Sequence, residues 1–300
     1  MVRNRGYDYR ETVDPRSDGQ ALLEYLSLRY RHSSDAEWRC RIESRRVLVD
    51  GLAASPDQPL RQGQTLEWHR PPWQEPDVPR SFAVLYEDAE ILAVAKPRGL
   101  PTVPGGSFLD NTLLAVVREY ASGAVPVHRL GRWTSGLVLF ARTPRARSHL
   151  SQAWREQKVE KRYVALASGR PARNRFEVTT PIGTVPYAPL GLLHAASPTG
   201  KRSISHVVVA EQREDEFVAR VTIETGRPHQ IRIHLAAAGH PLVGDPLYGP
   251  GGLPRSGTRA LPGDPGYSLH ARSLIFEHPS THAEIELVCA APPSLRVAIP

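Results

Sequence analysis

The stretch HRLGRWTSGLVLFAR, from His128 to Arg142, constrains this chain more than any other. Leu137 to Phe140 is an unbroken apolar run between a polar turn and Arg142, the pattern of a strand buried inside a sheet. A core strand holds whatever turn it carries, and such a turn is a common place to fix reactive groups in a cleft. This turn offers His128, Arg129, Thr134 and Ser135. At its centre, between Leu130 and Arg132, stands Gly131, which has no side chain to offer.

Around that strand, residues 80–300 read as strands joined by turns, with fewer helices. FAVLYEDAEILAVAKP is strand, turn at Glu87-Asp88, strand. Asp110 or Asn111 caps a predicted helix to about Ala121, and a strand follows to Leu130. Thr143 as cap and Pro144 at the first helical position open another helix. KRYVALA reads as a strand, and SHVVVAEQ with EFVARVTIETG as a hairpin. HQIRIHLAAAG has helical spacing at Ile231, Leu235 and Ala238. After a Gly/Pro-rich excursion (249–266) come strands around 268–276 and 283–289. Strands that adjoin through turns favour an α+β fold, with a mixed, mostly antiparallel sheet and packed helices, over a doubly wound one.

The N-terminal part has a different texture. Residues 1–17 read as a loose arm with Arg3, Arg5, Arg10 and Arg16. GQALLEYLSLRY has a helical period, and Ser34 with Glu37 forms a capping box that opens a second helix, 35–46. That helix carries Arg39, Arg41, Arg45 and Arg46. VLVDG is a strand closed by an Asp-Gly turn, and Leu60 to Trp68 a returning strand. HRPPWQEPDVP (69–79) is Pro-rich and polar, the composition of a linker. The expected organisation is a small basic α/β module (1–68), a linker (69–79) and a larger domain (80–300).

Composition narrows the class. The hydrophobic fraction of 40% supports a real core, and no apolar run approaches the length of about 18 residues that a membrane helix needs. The N-terminus has no apolar segment of the secretory kind. The two cysteines, Cys40 and Cys289, form no CxxC and suggest a reduced compartment. These features predict a cytoplasmic protein, with a monomer as the default. The net charge is +7, and all but four of the 38 basic residues are arginine. Arginine forks phosphate and stacks on bases, so a nucleic-acid partner fits; a genome biased towards arginine codons would give the same count.

Four groupings could carry chemistry. His229, His234 and His240 lie close in sequence, but 229 and 234 are five apart and do not share a helix face as HExxH ligands do, so no metal site is expected. Pro104-Gly105-Gly106-Ser107 lacks the frame of a phosphate-cradling loop. Thr134-Ser135-Gly136 is not a nucleophile elbow and reads as turn geometry. The block TGRPHQIRIHLAAAGHPLVGDPLYG (225–249) is a strand-to-helix junction that gathers Arg227, His229 and Arg232, a set suited to an anionic, planar ligand.

Three blocks together resemble the RluA family of RNA pseudouridine synthases. ILAVAKPRGLPTVP (91–104) is similar to the family's V-x-K-P-x-G-L segment, and HRLGRWTSGLVLFAR to its H-R-L-D-x-x-T-S-G signature. The 225–249 block is similar to its T-G-R-x-H-Q-I-R-x-H…G-D-x-x-Y-G segment, and KRYVALA to its K-x-Y-x-A-L strand. Order and spacing agree over about 80–300. The N-terminal elements resemble the alpha-L RNA-binding module, most closely over Arg45 to Gly51 and Arg61 to Leu66.

The resemblance implies a reaction on tRNA or rRNA. A uridine is flipped out of the RNA into the pocket. The family's aspartate attacks the sugar or removes a sugar proton, the glycosidic bond breaks, and the uracil turns and rejoins through carbon. No metal or organic cofactor takes part. Tyr163 would lie against the base and serve in proton transfer. Arg232 would pair with the aspartate, and Arg129, with His128, Arg227, His229, Arg45 and Arg46, would hold RNA.

The departure falls at the centre of the signature: the family's aspartate aligns with Gly131. Glycine can neither attack nor accept a proton, and its presence predicts an Arg232 deprived of its partner, a costly buried cation. Glu224 and Asp245 are the nearest candidates to answer that charge or replace the acid, with Asp110 and Glu160 weaker ones and Asp245 expected to be structural. Pro228, where the family usually has threonine, alters little. Two readings follow, an RNA pseudouridine synthase with an altered catalytic group and a catalytically inactive RNA-binding protein using the same cleft. A base-processing hydrolase or small-ligand binder on the same scaffold has no specific support.

Overall fold

A computed structural model describes residues 2–297, and the chain divides between Glu75 and Pro76 into two compact units. The first contains β1 (Val2–Arg3), β2 (Tyr7–Thr12), α1 (Leu22–Arg29), α2 (Asp35–Glu43), β3 (Val47–Val49), β4 (Leu52–Ala53), β5 (Thr65–Arg70) and β6 (Gln74–Glu75). Its sheet runs β2-β5-β3-β4, all antiparallel, and β1 pairs with β6. Leu22, Leu26, Trp38, Ile42, Val47 and Leu66 form its core. The capping box is present: the Ser34 hydroxyl accepts the Glu37 N–H and the Glu37 carboxylate accepts the Ser34 N–H. Arg45, in the left-handed region at φ 56°, ends the helix at Glu43, short of the 46 expected.

Two expectations change here. Residues 1–17 are not a loose arm, because β2 pairs along its whole length with β5, and the Asn4 amide donates to the buried Glu75 carboxylate at 2.6 Å. β2 is an edge strand exposed at four of its first five positions, so no hydrophobic alternation marks it; backbone pairing holds it. The segment read as a linker, 69–79, contains the end of β5 and all of β6. The Arg70 guanidinium lies 3.4 Å above the Trp73 ring, and Trp73 O accepts the Asn4 N–H.

The second unit contains β7 (Ala83–Glu87), β8 (Ile91–Lys96), α3 (Leu113–Tyr120), β9 (Val125–Pro126), β10 (Thr134–Ala141), α4 (Pro144–Arg155), β11 (Glu160–Ser168), β12 (Arg175–Val178), β13 (Ile182–Tyr187), β14 (Gly191–Ala196), β15 (Ser205–Gln212), β16 (Glu216–Ile223), α5 (Gln230–Ala237), β17 (Leu269–Glu277) and β18 (Glu284–Val288). The main sheet runs β12-β15-β16-β11-β17-β10-β8-β7, with β18 on β17 and β9 on β10. All its pairs are antiparallel except β10 with β17. This is the α+β architecture expected. β10 is buried from Gly136 to Ala141 and sits between β8 and β17, as its apolar run requires.

Local signals hold unevenly. Thr143 caps α4 with Pro144 in its first turn, but α3 is capped by Thr112 rather than Asp110 or Asn111. The strand expected to end at Leu130 is only the two-residue β9. The short β12 and the separate β13–β14 hairpin were not legible as strands. Gly136 has a structural reason of its own: its φ is +112°, and a β-carbon there would lie 2.3 Å from the Ala271 carbonyl oxygen. Only glycine lets β10 and β17 come together at that point.

Candidate functional site

The turn ahead of β10 is stitched to the loop after β8. Lys96, fully buried, donates to three carbonyls, Pro97 O at 2.9 Å, Leu100 O at 2.6 Å and Arg132 O at 3.1 Å. Burial, helped by the nearby Arg132 guanidinium, pulls its ammonium down to about 7. Thr102 clamps Leu130 from both sides, its hydroxyl donating to Leu130 O at 2.9 Å and accepting Leu130 N–H at 3.1 Å. Arg132 Nε donates to Gly99 O, and Gly99 N–H returns to Arg132 O. The K-P-x-G-L and H-R-L-G-x-x-T-S-G segments are therefore one rigid unit with Gly131 at its apex. Thr134 N–H closes the turn onto Gly131 O at 3.1 Å, and Ser135 Oγ lies 2.9 Å from His270 Nδ1, outside the cavity lining.

The 225–249 block enters from the other side. His229 starts α5 in the left-handed region, and its Nδ1 lies 2.7 Å from the Tyr248 hydroxyl. That hydroxyl donates to His194 O, so His229 Nδ1 carries its proton. Burial, with the Arg232 guanidinium next, pushes this imidazole down to about 3, so it is neutral. Gln230 locks the junction, accepting from Arg227 N–H and the Thr225 hydroxyl and donating to Ile204 O and Ser205 Oγ. His234 and His240 hold backbone and serine partners elsewhere, and no metal-ligating cluster occurs among the described residues.

The two segments face each other across a cavity of about 110 Å³ lined, among others, by Arg129, Gly131, Tyr163, Arg227, His229 and Arg232. Arg129 is exposed and makes no hydrogen bond or ion pair with a described residue. Burial raises the Tyr163 phenol to about 12, so it stays protonated. Three guanidinium groups and no carboxylate line the cavity, an electropositive pocket suited to an anionic ligand.

Comparison with known proteins gives the family. A family profile described as RNA pseudouridylate synthase matches residues 90–237. An uncharacterized RNA pseudouridine synthase of Synechocystis sp. is 42% identical over 91% of this chain and 95% of its own length. RNA pseudouridine synthase 5 of Arabidopsis thaliana is 35% identical over 98% of this chain and 95% of its own. The chain belongs to the RluA family of RNA pseudouridine synthases. Ribosomal large subunit pseudouridine synthase D of Vibrio parahaemolyticus is 36% identical over 73% of this chain and 70% of its own. Human RNA pseudouridylate synthase domain containing 1 shares the fold, with a TM-score of 0.57 at 24% identity over 74% of this chain and 89% of that one.

For this pseudouridine synthase family member the structure corrects the expectation of an orphaned Arg232. The guanidinium is gripped by Asp245 in a bidentate pair, Nε to Oδ2 at 2.7 Å and Nη2 to Oδ1 at 2.8 Å, with Nη1 donating to Pro262 O. Burial, the largest single effect, opposes the charge, but the Asp245 hydrogen bonds together with the electrostatic pull of Tyr267, Asp245 and Tyr248 hold the guanidinium above its ordinary value. Asp245 Oδ1 also accepts Leu247 N–H and Tyr248 N–H, and the residue is 2% exposed, so the carboxylate is committed to Arg232 and the backbone. Glu224 is at the surface with His206 and Arg202, and neither acid lines the cavity. Asp110 and Glu160 do not line it either.

Other expected residues are placed apart. His128 is outside the cavity lining: its Nε2 accepts Leu139 N–H at 3.1 Å and its ring stacks on Trp154. Burial, with Lys161 next, pulls its imidazole down to about 4. Arg45 and Arg46 are exposed at the end of α2 in the first unit. The residue that sequence reasoning missed is Tyr267, 1% exposed, which lines the cavity with its ring 4.2 Å from the Arg232 guanidinium carbon. It lies in the Gly/Pro-rich approach to β17, outside every matching block, so nothing in the chain singled it out.

Proposed function

We propose that this protein isomerises uridine to pseudouridine in tRNA or rRNA, with chemistry that runs without a carboxylate at position 131. The observation that carries the reading is the intact cavity around Gly131. Arg129, Tyr163, Arg227, His229 and Arg232 all line it, on segments held by buried hydrogen bonds, and the charge of Arg232 is balanced by Asp245. In this reading Tyr163 lies against the flipped base, Arg129 and Arg227 take phosphate, and Arg45 and Arg46 add RNA contacts from the N-terminal unit. The ribosomal large subunit named for the Vibrio relative makes rRNA the first substrate to try.

One observation favours the second reading, a catalytically inactive RNA-binding protein. No carboxylate lines the cavity, and a missing nucleophile costs several powers of ten in turnover where the mechanism depends on it. The deciding experiment incubates the purified protein and its Gly131→Asp variant with unmodified tRNA and rRNA transcripts and maps pseudouridine chemically. Product from the unaltered protein supports the synthase. Product from the variant alone rejects it in favour of the inactive RNA binder.

A further inference from the structure

Gly131 does not need to be glycine for its backbone, since it is absent from the residues with positive φ. What surrounds it is more informative. A β-carbon built on Gly131 would lie 3.2 Å from the Tyr267 hydroxyl oxygen and 3.5 Å from Thr134 Oγ1, and no other atom comes within 4 Å. The Tyr267 hydroxyl thus stands at the edge of the space into which any side chain at 131 would grow. It makes no hydrogen bond to a described residue although its ring is buried. The hydroxyl oxygen itself is reachable from the cavity, so a bound ligand can supply the partner that the protein does not.

Tyr267 is also held firmly. Trp133 Nε1, two residues past Gly131, donates to Gly263 O at 2.7 Å. Arg232 Nη1 donates to Pro262 O at 3.0 Å, and Arg98 Nη1 to Ser268 Oγ at 3.1 Å. The Arg232 guanidinium lies against the ring face. The segment 262–268 is therefore pinned to the Gly131 turn on one side and to Arg232 on the other, and the phenol oxygen has little freedom.

We infer that Gly131 and Tyr267 are a matched pair, in which the tyrosine hydroxyl fills the room left by the missing side chain and makes the polar contact to the ribose of the uridine bound in this cavity. The contact to ribose rests on the synthase reading, whereas the pairing rests on geometry alone. A hydroxyl can donate to or accept from a ribose hydroxyl, and the site has no carboxylate to do so.

The test uses the full chain and four proteins: unaltered, Gly131→Ala, Tyr267→Phe and the double variant. Tyr267→Phe keeps the ring on Arg232 and removes only the oxygen. In thermal unfolding, Gly131→Ala should lower the melting temperature by a few degrees more in the unaltered background than in the Tyr267→Phe background. The stabilising loss of glycine's freedom in the unfolded chain is common to both and cancels. Equal shifts in the two backgrounds would overturn the pairing. In pseudouridine formation on unmodified transcripts, Tyr267→Phe should slow the single-turnover rate at least tenfold with its fold intact; an unchanged rate overturns the ribose contact. If the unaltered protein forms no pseudouridine, the synthase reading has failed separately. The contact is then read from affinity for the same transcripts, where weaker binding by Tyr267→Phe supports it and unchanged affinity overturns it.

Discussion

The buried pair of Arg232 and Asp245 is the residue-scale centre of this molecule. Both side chains are nearly inaccessible, at 2% and 0%, so each is the other's buried counter-charge. Asp245→Asn should therefore destabilise the protein by about 3–5 kcal/mol, because it leaves an uncompensated buried cation. Urea unfolding checks this, and a loss below roughly 1 kcal/mol would mean that water or backbone already satisfies the guanidinium. His128 gives a second expectation. Its folded pKa of about 4 lies below the ordinary 6.5, so the unfolded chain binds its proton first. The stability it confers is full above about pH 6.5 and is lost as pH falls towards 4. The advantage of the unaltered protein over His128→Leu should shrink by about 2–3 kcal/mol between pH 7 and pH 4. A constant difference across that range would show that His128 titrates normally. The sequence offered Asp245 as one of two acids that could answer Arg232 but did not fix the pair, and it gave no sign of the role of His128. The separation of 232 from 245 does not reveal a bidentate pair, and a histidine beside an arginine in a polar turn gives no sign that it will accept a strand's N–H.

At the scale of elements, the legible parts were those where local chemistry and packing agree. The apolar run at Leu137 to Phe140 could only be an inner strand, and it is one. Thr143-Pro144 and Ser34-Glu37 could cap helices, and they do. What failed was held by partners distant in sequence. β2 is nearly all exposed and exists because β5 pairs with it, and Thr112 displaced two good capping residues beside it. The Thr-Ser-Gly turn belongs to this scale too, since Gly136 sets how closely β10 and β17 approach. Gly136→Ala places a β-carbon 2.3 Å from a carbonyl oxygen and at φ +112°. It should cost roughly 3 kcal/mol or more and weaken the β10–β17 pairing, visible as lost amide protection along β17. Protection equal to that of the unaltered protein would refute this account of the signature's glycine.

At the scale of the molecule, charge and fold point to the same partner. The α+β unit and the motif order place the chain in its family, and the excess of arginine over lysine suits the phosphate contacts that the proposed reaction on RNA requires. RNA affinity should fall steeply between about 50 and 200 mM salt, and Arg129→Ala should remove roughly one phosphate contact's worth of that slope. A slope unchanged by Arg129→Ala would take Arg129 away from the RNA. What motif matching could not supply was the interior of the cavity. It identified Gly131 as a gap and Asp245 as one of two acids that could answer Arg232, but could not choose between Asp245 and Glu224 or say that Tyr267 borders the gap.

The most direct measurement is the rate at which the unaltered protein and its Tyr163→Phe variant form pseudouridine in unmodified tRNA and rRNA transcripts. The account expects product at discrete uridines from the unaltered protein, and a rate about 10²-fold lower from Tyr163→Phe, the loss typical of a positioned proton-transfer group. No product from the unaltered protein, with product appearing once Gly131→Asp is introduced, would contradict it.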